Sequence, residues 1–332
     1  MEYFGDKKIK GRDTQYRLKQ NVASFCAFDR WVPGTYVYSE DAAFADPTIA
    51  WSDLVNQIIK NSTIAVTRRI ASGQLKASPK GGMFTPGQIA KVSGDVFQML
   101  VGVVLWNACV IHNATTIASG VEGPIYAILT LGDNYDLRTL LDEEGAAQLT
   151  TLQRELALHD TQLAYSTPDF VVIDISGMNP EIQAHFNEML TNLNPDNQSK
   201  LSYSKAMLRG RIRPQEITAA LGLKTSIRSD RMYQLLFEAN AWKFIWRAAF
   251  NLSPSKYYAI YSEDYGAAPA KLQSVEFGSV DIQSNKADKA INGVFPTQRP
   301  SDLIATLNTI LTGVTPTPPG RSSGPVLSLF DE

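Results

Sequence analysis

Apolar residues recur along the chain with two different periods, and the alternation between them predicts a mixed architecture. Trp51, Leu54, Val55, Ile58 and Ile59 fall at i, i+3, i+4, i+7 and i+8. That spacing puts side chains on one face of a helix and predicts an amphipathic helix over 51–62. A stretch with Gly, Ser, Pro and Lys over 72–87 reads as a loop. Pro86 suits a first helical turn, and Ile89, Val92, Val96, Met99, Leu100, Val103, Val104, Leu105 and Trp106 follow it at helical spacing. By its end this helix is apolar almost all round, as a central buried helix must be. Two short aliphatic runs, 125–131 and 170–175, are bounded by Gly, Pro and Asp and predict buried strands. Helical stretches are expected at about 136–160 and 179–193. The run 217–223 fits either period and is read as a strand, whereas Met232, Leu235, Leu236, Ala239, Trp242 and Trp246 mark one face of a helix over 229–250 with Ser229 as its N-cap.

Helices that alternate with short buried strands place the chain in the α/β class, with a central mixed sheet flanked by helices. Residues 1–50 carry turn signals such as Val32-Pro33-Gly34 and predict an N-terminal arm with short helical pieces. After Gly313 the sequence TPTPPGRSSGP has the composition of a flexible tail. The expected organisation is therefore one domain over 1–312, its arm at about 1–50, and a tail over 313–332.

Composition narrows the function classes. With 332 residues, 44% of them hydrophobic, the chain can bury a full core. The opening Met1-Glu2-Tyr3-Phe4-Gly5-Asp6 is no charged-then-apolar leader, and no apolar stretch is expected to reach the roughly 20 residues of a membrane span, so a cytoplasmic location is expected. Cys26 and Cys109 lie in apolar surroundings without metal spacing and are read as buried thiols. A net charge of −2 argues against indiscriminate coating of nucleic acid. The basic residues nevertheless cluster: Lys205, Arg209, Arg211, Arg213, Lys224, Arg228 and Arg231 are opposed only by Glu216 and Asp230 within that stretch.

Phosphodiester cleavage needs carboxylates to hold a hard cation and a positive group near the developing charge. Pro168-Asp169 sets an acid at the mouth of a predicted strand, although a Pro-Asp pair is equally a turn with a capping Asp. Lys224 closes an apolar run, but Gly222 stands two positions earlier, so the acid-x-Lys arrangement on one strand is absent. Glu238 lies at the edge of the apolar face made by Leu235 and Trp242, as a border-of-core glutamate also would. Arg228-Ser229-Asp230-Arg231 opens a helix, which suits both a solvated cap and a major-groove reader that grips guanine through Arg and cytosine through Asp. His112, His159 and His185 have no helical-spacing partner, and neither a metal cluster nor a Ser-His pair is expected of them.

Taken together, these segments resemble the CCGG-recognising type II restriction endonucleases of the PD-(D/E)XK superfamily, most closely their SgrAI branch. The resemblance rests on Ser166–Asp174 (STPDFVVID), Leu208–Ile217 (LRGRIRPQEI) and Lys224–Asn240 (KTSIRSDRMYQLLFEAN). Further matches are Lys91–Phe97 (KVSGDVF) followed by Trp106-Asn107, the Tyr135-Asp136 segment, and Gly11–Gln15 (GRDTQ). It runs from about residue 12 to 250 and weakens beyond. The Lys-x3-Arg-Ser-Asp-Arg block, with its Glu fourteen positions after the Lys, is its most specific part.

This resemblance implies a Mg²⁺-dependent nuclease that cuts both strands of DNA before a palindromic CCGG-type core and leaves 5′ overhangs. Asp169 and Glu238 would bind the metal, Lys224 would be the active-site lysine, and Glu238 would be the carboxylate that moved from strand to helix. Arg228, Asp230 and Arg231 would read C·G pairs, while Arg12 and Lys91 would contact DNA beside or outside the core. A homodimer or larger assembly and a protecting methyltransferase are implied as partners, and no membrane. One departure stands out: the family has Glu after Gly-Asp-x-aromatic, and here Gly94-Asp95-Val96-Phe97 is followed by Gln98. An amide is a poorer Mg²⁺ ligand than a carboxylate. Three readings are open at position 98: ligation through water, help from Asp95, or an inactivating substitution that leaves a DNA-binding protein unable to cut.

Overall fold

The computed structural model describes residues 50–56, 71–73, 86–120, 123–131, 135–161, 167–190, 203–226, 229–263, 280–281, 286–287 and 289–313. Expectations for the N-terminal arm, Cys26, the loop 74–85, the helix beyond 56 and the tail after Gly313 lie outside the described residues.

Five strands form the central sheet: β1 (Tyr126–Thr130), β2 (Phe170–Asp174), β3 (Ile217–Ser226), β4 (Lys256–Glu263) and β7 (Gly293–Pro296), side by side in that order. Two-residue strands β5 (Val280–Asp281) and β6 (Lys286–Ala287) pair separately. The β1–β2 and β2–β3 pairs are antiparallel, and β3–β4 and β4–β7 parallel, so the sheet is mixed and the class α/β, as expected. Both predicted strands form, and 217–223 is part of a strand that runs on through Lys224. The parallel half needs a crossover, which α4 (Ser229–Ala248) supplies between β3 and β4.

The longest helix, α1 (Pro86–Ala118), starts at the expected proline and packs along β1 and against α5 (Pro300–Thr312). Val96, Leu100, Val101, Val103, Val104 and Leu105 are all fully buried. Its Val96–Ala118 portion, 23 residues at mean hydropathy 1.5, is long and apolar enough to cross a membrane, which corrects the expectation that no stretch reaches that length. Burial inside the protein accounts for it, since 82% of its most apolar window is enclosed.

Two buried asparagines anchor this helix, one to the sheet and one to the chain at Leu190. Asn113 Nδ2 donates to the Tyr126 carbonyl at 2.8 Å and Asn113 Oδ1 accepts from the Tyr126 N–H at 2.9 Å. Because β1 is an edge strand, these bonds cover backbone groups that the ladder leaves open. Asn107 does the same for Leu190, donating to its carbonyl at 2.9 Å and accepting from its N–H at 2.8 Å.

Helix boundaries differ from expectation where contacts distant in sequence capture the backbone. The helix expected over 136–160 is a 3-10 turn at Leu137–Thr139 followed, after the Leu141–Ile212 bridge, by α2 (Glu143–Leu158). Asp142 caps α2 by accepting from the Gly145 N–H at 2.9 Å. The helix expected over 179–193 is α3 (Pro180–Phe186), which ends early because Leu190 is held by Asn107 in a non-helical segment. Nothing in the sequence reading anticipated β4, β7 or α5. That last helix closes on Gly313 at φ 68°, the left-handed C-cap position that glycine occupies without steric cost.

A candidate metal-dependent nuclease centre

The site sits where β2 begins and β3 ends, which the antiparallel register brings together: Phe170 pairs with Leu221, so Asp169, one residue earlier, comes level with the Gly222–Lys224 end of β3. The Asp169 backbone carbonyl accepts from the Leu131 N–H at 2.9 Å, which fixes the turn into the strand. Its carboxylate is held from two sides. Oδ2 accepts from the Leu223 N–H at 2.6 Å and Oδ1 accepts from Gln98 Nε2 at 3.3 Å. Gln98 thus meets Asp169 from α1.

Lys224 and Glu238, fourteen residues apart, form an ion pair with Nζ–Oε1 at 3.6 Å; their side chains are 14% and 4% exposed. Alternation along β3 puts Gly222 and Lys224 on the face that meets α4. On α4, Leu235, Leu236, Ala239, Trp242 and Trp246 are buried, and Glu238 is enclosed with them instead of bordering them. A buried carboxylate must be satisfied. Glu238 Oε1 accepts from Gln234 Nε2 at 2.8 Å, and Oε2 from the Tyr257 hydroxyl at 2.9 Å. Burial, then the charges of Glu238 and Asp169, raise the Tyr257 phenol well above its ordinary value, so it stays a proton donor. Both carboxylates therefore bear on one buried hydroxyl.

Gly222, where an acid-x-Lys strand would carry its acid, has no room for a side chain. A β-carbon there would lie 2.4 Å from Tyr257 Oη and 2.9 Å from Leu235 Cδ2. Tyr257 and Gln234 are the members of this centre that sequence reasoning missed. No signal marked them, since Tyr257 lies on the unanticipated strand and reaches Glu238 only through the β3–β4 pairing.

The other expected site residues scatter. Arg231 Nη1 donates to Thr225 Oγ1 at 2.8 Å and Ser226 Oγ at 3.2 Å, tying the first turn of α4 to the end of β3 just beyond Lys224. Asp230 lies in that same turn, and Arg228 and Arg12 lie outside the described residues. Lys91 lies on the first turns of α1, one to two turns before Gln98. In the basic stretch, Arg213 is engaged by Glu216 at 2.6 Å, while Arg209 and Arg211 are exposed. Lys205 Nζ stands 5.7 Å from the Tyr135 ring centroid, and Thr167 Oγ1 donates to the Tyr135 carbonyl at 3.3 Å, which links this surface to the chain just before Asp169. Asp136 is a structural acid that caps the 3-10 turn, and its bonds from Arg138 hold its carboxyl below the usual range.

One Ser-His pair does exist, contrary to expectation: His185 Nε2 lies 2.8 Å from Ser204 Oγ. Ser204 is fully buried, and the partly buried His185 packs edge-on against Trp106 and Phe186, so the pair is a packing contact at the edge of the core. Cys109 is buried as expected and its burial pushes the thiol far above its ordinary value.

Among the described residues no group of three or more His, Cys, Asp or Glu side chains could hold a metal ion. Two carboxylates, Asp169 and Glu238, are what this centre offers. Mg²⁺ is commonly held by one or two protein carboxylates with water and substrate phosphate filling the remaining positions, so the all-oxygen donor set fits a hard divalent cation.

A family model described as Cfr10I/Bse634I restriction endonuclease matches residues 49–313. The type II restriction enzyme Cfr10I of Citrobacter freundii is 22% identical over 238 residues, covering 70% of this chain and 81% of that protein. Among solved structures, the Bse634I restriction endonuclease superposes with a TM-score of 0.64 at 21% identity, covering 79% of this chain and 86% of that one. A structure of the type IIF restriction endonuclease Bse634I with cognate DNA superposes at 0.66 with 20% identity, covering 89% and 92%. These structures share the fold, and the family match spans most of the chain: the protein belongs to the Cfr10I/Bse634I family of type II restriction endonucleases, which are site-specific deoxyribonucleases.

Proposed function

We propose that the protein is a Mg²⁺-dependent endonuclease that cuts both strands of DNA at a palindrome with a CCGG-type core, hydrolysing before the core to leave 5′ overhangs. The observation that carries this is the meeting of Asp169, Lys224 and Glu238 at one end of the sheet, from three separate elements. Family membership supports the reaction class. The CCGG core and its SgrAI-like relationship rest on the Lys-x3-Arg-Ser-Asp-Arg block.

In this reading Asp169 and Glu238 hold the cation, which when bound supplies charge to the scissile phosphate and activates water. Lys224 gives up part of its pairing with Glu238 and offers Nζ to the non-bridging phosphate oxygens, where negative charge develops. Arg228, Asp230 and Arg231 read the C·G pairs, and because Asp230 and Arg231 lie in the first turn of the helix that carries Glu238, recognition and chemistry share one element. Arg12 and Lys91 contact DNA beside or outside the core. A palindrome calls for two symmetry-related sites, hence a homodimer or larger assembly. A cytoplasmic location and a protecting methyltransferase belong to the same proposal.

A second reading is favoured by Gln98, whose amide donates to one of the Asp169 carboxylate oxygens and brings no charge of its own for a cation. Here the protein binds the same site and cuts poorly. Digestion of a mixed-sequence plasmid library with Mg²⁺, with ends sequenced and Lys224→Ala beside it, tests both. Cuts at one CCGG-type palindrome with 5′ overhangs, absent in the variant, establish the nuclease. Protection of such a site without cutting supports the second reading, and no preference for any site sinks both.

A further inference from the structure

The Glu238 carboxylate is carried by a helix, and a helix-borne acid has no strand backbone beside it to set its direction. Something else must aim it. The Lys224 pair at 3.6 Å reaches β3 only through a flexible four-carbon stem. Gln234 lies one turn earlier on the same helix and moves with it, so its bond to Oε1 cannot reference Glu238 to the sheet. The Tyr257 hydroxyl can. It belongs to β4, whose backbone is fixed in parallel register against β3, with Ala220 opposite Tyr257 and Tyr261 opposite Lys224. The ring is fully buried, and the Tyr257 N–H is held by Asn292 Oδ1 at 2.9 Å.

The hydroxyl also occupies a defined space. A β-carbon at position 222 would approach Tyr257 Oη to 2.4 Å, so the absence of a side chain on β3 is what lets the phenol reach Glu238. We propose that Tyr257 is a positioning residue of the metal centre, its hydroxyl seated in the gap that Gly222 leaves and directing the Glu238 carboxylate towards Lys224 and the cation. This rests on the nuclease reading above. It adds a pair of residues, Tyr257 and Gly222, that act together: the glycine makes room for the oxygen, and the oxygen replaces the orientation that a strand-borne acid would have had from its own backbone.

The test is direct Mn²⁺ binding by electron paramagnetic resonance on the full-length protein with its DNA, in wild type, Tyr257→Phe, Gly222→Ala and Glu238→Gln. Groups that orient a metal ligand typically change affinity 10–100-fold when removed. Tyr257→Phe, which deletes one oxygen, should weaken Mn²⁺ at least tenfold, and single-turnover cleavage should recover as Mn²⁺ is raised past the new midpoint. A residue that merely supports the fold would lower the amplitude at every metal concentration and leave the midpoint in place. Gly222→Ala should shift the midpoint the same way, because its methyl displaces the hydroxyl. Equal Mn²⁺ midpoints in wild type and Tyr257→Phe overturn the inference and leave the nuclease reading standing. Wild type that binds Mn²⁺ no better than Glu238→Gln removes the reading beneath it as well. Should Tyr257→Phe fail to fold by circular dichroism, Gly222→Ala decides: a shifted midpoint supports the proposal and an unshifted one ends it.

Discussion

Gln98 and Asp169 lie 71 residues apart in sequence and touch at the mouth of β2, amide Nε2 to carboxylate Oδ1 at 3.3 Å. With the Leu223 N–H on the other oxygen at 2.6 Å, both Asp169 oxygens are engaged by donors. A glutamate at 98 would turn one of these attractions into a repulsion that only a cation relieves. Gln98→Glu should therefore lower stability without metal by about 1 kcal/mol, the scale of one lost hydrogen bond. Mg²⁺ should restore that loss, and the metal midpoint for cleavage should fall. Thermal melts with and without Mg²⁺, and cleavage across a metal titration, read both effects; a variant insensitive to Mg²⁺ in the melt would show that position 98 does not face the cation.

Lys224 and Glu238 neutralise each other in a largely buried setting. Removing one partner leaves the other charge without compensation, typically at a cost of about 3 kcal/mol or more, whereas removing both with apolar or neutral groups of similar size is far milder. Lys224→Met and Glu238→Gln should each lose cleavage, and Lys224→Met should be the less stable. The double variant should recover much of the stability of Lys224→Met in urea denaturation while staying inactive. Additive losses would mean the two side chains are not coupled.

Arg231 is held by Thr225 and Ser226 beside the end of β3, and the proposed reading role requires it to exchange these hydroxyls for base edges. Each good bidentate base contact is worth about 1–3 kcal/mol of discrimination. Arg231→Ala should reduce the preference for the cognate duplex over one with a single substituted core base by roughly 5–150-fold. Arg209→Ala, at an exposed site, should instead weaken binding to all duplexes alike and lower the salt dependence. Competition binding in Ca²⁺ at several salt concentrations separates the two, and a uniform loss for Arg231→Ala would remove its reading role.

Asn113 satisfies both backbone groups of Tyr126 from within the core. Asn113→Leu keeps the branched shape but strands the Tyr126 N–H and leaves its carbonyl only the weak Cys109 thiol donor at 3.2 Å, at about 1–3 kcal/mol for a stranded group. We expect a loss of at least 2 kcal/mol in urea melts and faster amide exchange at Tyr126. An unchanged melt would show that water replaces the side chain.

Much of the frame was legible in the chain. The 3.6-residue spacing of α1 and α4 and the aliphatic runs of β1 and β2 follow from local burial, which apolar periodicity reports directly. The chemical residues were named through a motif block, because Pro168-Asp169, Lys224 and Glu238 taken singly have ordinary structural uses. Boundaries were less legible: α3 stops at Phe186 because Asn107, 83 residues before Leu190, captures the following backbone.

By itself the sequence determined the helix and strand periods and the α/β class, since these depend on neighbours within a few positions, and its motif segments singled out Asp169, Lys224 and Glu238 as candidates. Only the tertiary structure decided that Gln98 faces Asp169, that Glu238 is buried and aimed by Tyr257, and that Gly222 is bare to admit that hydroxyl. Those relations join α1, β2, β3, α4 and β4 through sheet register and helix crossover. Their strength comes from directional bonds in a buried site, where distance in space counts and distance along the chain does not.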